Sequence, residues 1–113
     1  MKSLAILLTC HNRKEKTLQC LRDLYRAHDT NNGEFDISLY LTDDGCTDGT
    51  IDGILHEFPK RDITIIHGSG QLYWAGGMRE SWGKALKSSF DAYLLVNDDT
   101  FARPNIFLDL KIT

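Results

Sequence analysis

Apolar positions along the chain alternate between two patterns, short continuous runs and helical stripes. Leu4-Ala5-Ile6-Leu7-Leu8 is a continuous run of strand length, as expected when helices cover both faces of a strand. Asn12 then reads as a helix N-cap, with Glu15 three residues on completing a capping-box-like pair. Leu18, Leu21, Leu24 and Tyr25 form one helical stripe, and Asp29-Thr30-Asn31-Asn32-Gly33 is a dense turn signal that ends it. Ile37 to Leu41 predicts a second strand. Thr47 or Asp48 caps a second helix whose Ile51, Ile54, Leu55 and Phe58 fall at i, i+3, i+4 and i+7, and Pro59 closes it. Ile63 to Ile66 predicts a third strand, followed by the loop Gly68-Ser69-Gly70. Met78, Trp82, Ala85 and Leu86 mark a third helix, with Trp82 expected in the core, and Ala92 to Val96 a fourth strand. Beyond Thr100 the pattern thins, with Pro104 placed to open a short helical turn.

This β-α-β-α-β-α-β order predicts an α/β fold with a mainly parallel sheet, flanking helices and right-handed crossovers. In such sheets ligands bind beyond the carboxyl ends of the strands. Two acidic turns fall there, Asp43-Asp44-Gly45-Cys46-Thr47-Asp48-Gly49-Thr50 after the second strand and Val96-Asn97-Asp98-Asp99-Thr100 at the end of the fourth. Carboxylates so placed can hold a divalent cation and hydrogen-bond a ribose or a base.

The 113-residue chain is 42% hydrophobic and 26% charged, which suits a single soluble globular domain over residues 1–113. A net charge of -3 and a pI near 5.7 leave no basic surplus for phosphate neutralisation, which argues against nucleic-acid binding. No apolar run approaches the roughly 20 residues of a membrane span, so none is expected in this chain. Met1-Lys2-Ser3 with Leu4–Leu8 reads as a strand, because polar Thr9, His11, Asn12 and Arg13 follow at once. Cys10, Cys20 and Cys46 lack C-x-x-C spacing and His11, His28, His56 and His67 are scattered. The thiols are therefore expected reduced and at least partly buried, with no His/Cys metal site.

Thr9-Cys10-His11-Asn12-Arg13, the Asp43–Thr50 turn and Asn97-Asp98-Asp99 together resemble the motifs of family 2 glycosyltransferases, in that family's order. Gly70-Gln71-Leu72-Tyr73-Trp74-Ala75-Gly76-Gly77-Met78 is similar to the corresponding segment of its rhamnosyltransferase-like members. The resemblance covers residues 9 to 100 and implies the Rossmann-like, nucleotide-binding half of a GT-A glycosyltransferase domain. It implies that Thr9 and Arg13 lie near the base or phosphates of a nucleotide-sugar and that Asp44 hydrogen-bonds the base. Asn97 and Asp98 would support the ribose. Asp99, with Asp98, would coordinate Mg²⁺ or Mn²⁺ in an Asp-x-Asp-like motif in which Asn97 replaces the first Asp. A helix end at Gly76 and Gly77 could offer N–H groups to a phosphate or sugar. Trp74 could pack on the donor, while Tyr73 and Trp74 read equally well as core or loop-anchoring aromatics. Gly68-x-Gly70 does not extend to a dinucleotide fingerprint, since Gly76 is too distant and the loop follows the third strand. Asn97-Asp98-Asp99-Thr100 lacks the first Asp of an Asp-x-Asp-x-Thr phosphotransferase motif.

The implied activity is inverting sugar transfer from a dTDP-, UDP- or GDP-sugar to a hydroxyl of a glycan or lipid-linked acceptor. Bacterial polysaccharide or cell-surface glycan synthesis is the implied setting. The implied location is cytoplasmic, peripheral to the inner face of the membrane. In the family the general base lies well beyond the second acidic turn, so no catalytic base is assigned here. The chain is expected to be the N-terminal portion of a longer, apparently truncated domain. The alternative is a noncatalytic nucleotide-binding or interaction fragment. A half-sheet should also expose an edge, which predicts self-association.

Overall fold

The computed structural model describes residues 2–30 and 35–96. Four strands, β1 (Lys2–Cys10), β2 (Phe35–Asp43), β3 (Ile63–His67) and β4 (Ala92–Val96), form one sheet in the order β3-β2-β1-β4. All three pairings are parallel. Between the strands run α1 (Lys14–Thr30), α2 (Thr50–Glu57) and α3 (Tyr73–Ala85). The expected α/β Rossmann-like architecture is the one observed. β1 and β2 each reach nine residues, longer than their apolar runs, because their pairing continues from Lys2↔Phe35 to Cys10↔Asp43. A backbone ladder does not require apolar side chains at its ends, so hydrophobic pattern understates strand length.

Side chains alternate across the sheet, and the two faces are unequal. Leu4, Ile6, Leu8 and Cys10 of β1, with Leu39 and Leu41 of β2, pack against Leu18, Leu21, Leu24 and Tyr25 of α1 and Ile54 of α2. Each such fully buried aliphatic side chain contributes about 1.5–3 kcal/mol relative to exposure. The opposite face is smaller, with Ala5, Leu7, Tyr40, Met78 and Ala85 buried beneath α3. Polar bonds pin α3 there. The buried Thr42 hydroxyl donates to the Gly77 carbonyl at 2.8 Å and lies 2.7 Å from the Ser81 hydroxyl. Outside the core, Arg22 of α1 forms a forked pair with Glu57 of α2, at 2.5 and 2.8 Å.

Several side-chain expectations are corrected by this packing. Leu55 of α2 is half exposed, while Ile51 and Phe58 reach the core only in part. On α3, Met78 and Ala85 face the sheet, but Trp82, and Leu86 just past the helix end, are exposed. Trp82 instead stacks on Tyr93 of β4, with ring centroids 5.7 Å apart and planes 6° from parallel. Among the described residues one helix lies over this face and buries only the centre of its apolar stripe, so its flanking residues stay in contact with solvent.

Asn12 does not cap α1. Its backbone is left-handed, with φ 49°, and its side-chain oxygen accepts the Thr47 N–H at 2.7 Å. The cap comes from across the sheet, where Asp48 accepts the Lys14 N–H at 3.0 Å. Its other oxygen takes the Thr50 N–H at 3.1 Å and the Thr50 hydroxyl. The N-cap position of α2 is Gly49, one residue later than expected, and Asp48 serves both helices from outside it. These bonds hold its carboxyl below the ordinary carboxylate range, the Thr50 hydroxyl being the largest cause.

Candidate functional site

Three loops meet at the carboxyl ends of β1, β2 and β3: residues 11–13, 44–49 and 68–72. Asp44 is at their centre. It is 2% exposed, and its N–H donates to the Cys10 carbonyl at 3.0 Å. Its Oδ1 accepts the N–H groups of Gly70 at 2.7 Å and Leu72 at 3.2 Å, and its Oδ2 accepts that of Tyr73 at 3.0 Å. Tyr73 is the first residue of α3, so a carboxylate from the turn after β2 caps that helix where its dipole favours negative charge. Burial alone would raise the Asp44 carboxyl. The bonds from Leu72, Gly70 and Tyr73 outweigh burial and leave it below the usual range. The Asp44 carbonyl in turn meets His11 Nδ1 at 2.5 Å.

This capping requires the glycine loop to lie against the acidic turn. The space occupied by a side chain on Gly45 is taken by the Gly70 backbone, whose Cα would be 2.8 Å from an added Cβ, and Gly45 and Gly70 both have positive φ. Gly68 donates its N–H to the Asp43 carbonyl at 2.8 Å. Tyr73 has φ 58°, uncommon for a bulky residue, and its ring is 74% exposed beside the loop. A core role for Tyr73 is thereby excluded.

Thr9 ends the α3-facing side of β1 and is buried against Gly77. A Cβ on Gly77 would stand 2.2 Å from the Thr9 methyl and 2.4 Å from its hydroxyl oxygen, so only glycine fits. The Thr9 hydroxyl is buried without a hydrogen-bond partner among the described residues. Gly76 lies within the first turn of α3, not at its start, and its N–H is bonded to the Leu72 carbonyl at 3.1 Å. The helix end expected at Gly76 is therefore at Tyr73, three residues earlier. Arg13 is exposed at the start of α1. Thr9, Asp44, Gly76 and Gly77 are thus brought together, with Arg13 on the adjoining loop. Trp74 is in α3, but its side chain, like Asn97, Asp98 and Asp99, lies outside the described residues.

The structure also assembles a group that spacing did not reveal. Cys10 Sγ and Cys46 Sγ are 3.4 Å apart, and both lie near an Asp43 carboxylate oxygen, the three donor atoms falling within 4.8 Å of one another. Asp43 Oδ1 accepts the Cys46 N–H at 2.8 Å, and Asp43 Oδ2 is 3.5 Å from His67 Nδ1. Burial pushes the Cys46 thiol up, while the Asn12 N–H directed at its sulfur works the other way. Parallel register sets Cys10 beside Asp43, and the acidic turn folds Cys46 back onto them. A set with two sulfurs is too soft for Mg²⁺ or Mn²⁺, so it is not the hard-cation site expected at Asp98 and Asp99.

No protein-family model and no curated protein sequence matches the chain. Among solved structures it is similar to S. aureus TarS 1–349, with a TM-score of 0.72 and 19% identity over 99% of this chain and 32% of that one. A second S. aureus TarS structure gives a TM-score of 0.69 and 22% identity, over 99% of this chain and 19% of that one. The chain therefore spans a third or less of the TarS chains that it resembles. At this identity the likeness shows a shared fold.

Proposed function

We propose that the chain forms the donor-binding part of an inverting glycosyltransferase site that takes a nucleotide-diphosphate sugar. One observation carries this reading: three motif loops converge at the carboxyl ends of adjacent parallel strands, in a fold shared with a glycosyltransferase. β1 lies between β2, the start of a path leading outward to β3, and β4, to which the chain returns. That is a topological switch point, where open α/β sheets bind nucleotides.

In this reading the unspent Thr9 hydroxyl and the Arg13 guanidinium meet the base or phosphates. Asp44 serves the donor mainly through the loop it organises, since its two oxygens already accept three N–H groups. Gly76 and Gly77 let α3 lie close to β1, and Trp74 packs on the donor. Asn97 and Asp98 contact the ribose. Asp99 and Asp98 would hold Mg²⁺ or Mn²⁺, which when bound offsets negative charge on the departing diphosphate. The acceptor hydroxyl belongs to a glycan or lipid-linked intermediate. The rhamnosyltransferase-like segment favours dTDP over UDP and GDP. No helix among the described residues is long and apolar enough to cross a membrane, and we place the reaction at the cytoplasmic face of the membrane.

Calorimetric titration of dTDP, UDP and GDP, with and without Mn²⁺, tests this proposal. Metal-dependent binding of one nucleotide, lost in Asp99→Ala, is the expected result. A folded protein that binds none of the three refutes it and leaves a noncatalytic interaction module.

A further inference from the structure

We propose that Cys10, Cys46 and Asp43 form a binding site for a thiophilic divalent cation, with Zn²⁺ the best fit. The site is separate from the hard-cation position expected at Asp98 and Asp99, and it does not depend on the proposed sugar transfer.

Geometry is the first argument. In tetrahedral zinc sites Zn–S is about 2.3 Å, which places two thiolates about 3.8 Å apart. The two sulfurs here are 3.4 Å apart, and the carboxylate oxygen completes a triangle of donors within 4.8 Å. For the two sulfurs, tenths of an ångström separate the observed spacing from a tetrahedral edge. The donor set is the second argument. Two sulfurs with one carboxylate oxygen favour zinc over magnesium or calcium, and three protein ligands leave a fourth position for water.

Neighbouring groups give a third argument, because good metal sites orient their ligands from outside. The Asn12 N–H points at Cys46 Sγ from 3.4 Å, as it would to steady a thiolate. The Cys46 N–H fixes Asp43 Oδ1, and Asp43 Oδ2 faces the exposed His67 Nδ1 at 3.5 Å. Cys10 is fully buried, whereas Cys46 and Asp43 are half-buried, so an ion can enter from the loop side. Binding replaces two S–H bonds with two metal–sulfur bonds and releases two protons to solvent. The bound ion would join the end of β1 to the acidic turn that carries Asp44, fixing the floor of the loop cluster.

Cobalt(II) titration of the reduced protein under a phosphine reductant, without oxygen, tests the site directly. The expected result is one equivalent bound, with thiolate-to-cobalt charge-transfer absorption and the intense visible bands of a tetrahedral centre, both displaced by Zn²⁺. Cys20→Ala, which removes the thiol remote from the cluster, should retain these signals. Cys46→Ser and Asp43→Asn should weaken binding beyond the roughly 10–100-fold typical of losing an outer-shell partner. Zn²⁺ should raise the melting temperature of the wild-type protein and leave that of folded Cys46→Ser unchanged. Absence of a charge-transfer band in excess cobalt, or an undiminished band in Cys46→Ser, overturns the proposal.

Discussion

Replacing Asp44 with alanine strips three N–H groups of their acceptor at once, those of Gly70, Leu72 and Tyr73. A hydrogen bond to a charged group contributes about 1.5–3 kcal/mol, and a buried donor left unpaired costs about 1–3 kcal/mol. The three do not add fully. The Tyr73 end of the loop is exposed, and water can reach a freed donor there. We expect Asp44→Ala to lose about 3 kcal/mol, which for a domain near this size lowers Tm by roughly 12 °C. Asp44→Asn should lose less, about 1–2 kcal/mol, since one amide oxygen can still accept while its NH₂ opposes one N–H. Urea denaturation followed by circular dichroism, with the slope m compared across variants, measures both losses.

The pH dependence follows from the lowered carboxyl. Its folded value lies below the unfolded one of about 3.9, so the contribution is complete above the unfolded value and disappears as pH falls through the folded one. Asp44→Asn should therefore flatten the acid limb of the stability curve. An alanine variant within about 0.5 kcal/mol of wild type, the range of ordinary surface changes, would refute the capping argument. So would an unchanged acid limb in Asp44→Asn.

Other consequences of the packing can be checked on the same footing. Gly77→Ala should cost about 1–3 kcal/mol by overpacking, and a double-mutant cycle with Thr9→Ala should recover part of it, because the clash is with that side chain. Ser81→Ala should lose about 1 kcal/mol in denaturant melts, since Ser81 contacts both Thr42 and the Leu8 carbonyl inside the α3 face. β3 and β4 are the edges of the described sheet, and Leu95 and Trp82 are exposed beside β4. Concentration-dependent association in sedimentation velocity is therefore expected, and a monodisperse monomer at high concentration would contradict it.

The sequence by itself determined the order of elements and the parallel sheet. Continuous apolar runs such as Leu4–Leu8 cannot be satisfied with one face in water, and stripes such as Leu18-Leu21-Leu24-Tyr25 require a helix on that sheet. It also placed Thr9, Asp44, Gly76 and Gly77 at one end of the sheet, because residues that follow parallel strands share an end. Only the tertiary structure decided how these residues are used. Asn12, Asp44 and Asp48 read as local turn or cap residues, yet Asn12 accepts from Thr47, 35 residues away, and Asp44 from groups 26 to 29 residues away, while Asp48 adds to its local bond from Thr50 one from Lys14, 34 residues away. Local pattern records which residues can accept an N–H, and packing determines whose N–H arrives. Trp82 shows the same limit, since periodicity gives the direction of a side chain but not whether a neighbour covers it. Cys10 and Cys46 are 36 positions apart, and their sulfurs meet only because strand register sets Cys10 beside Asp43 and the turn brings Cys46 back.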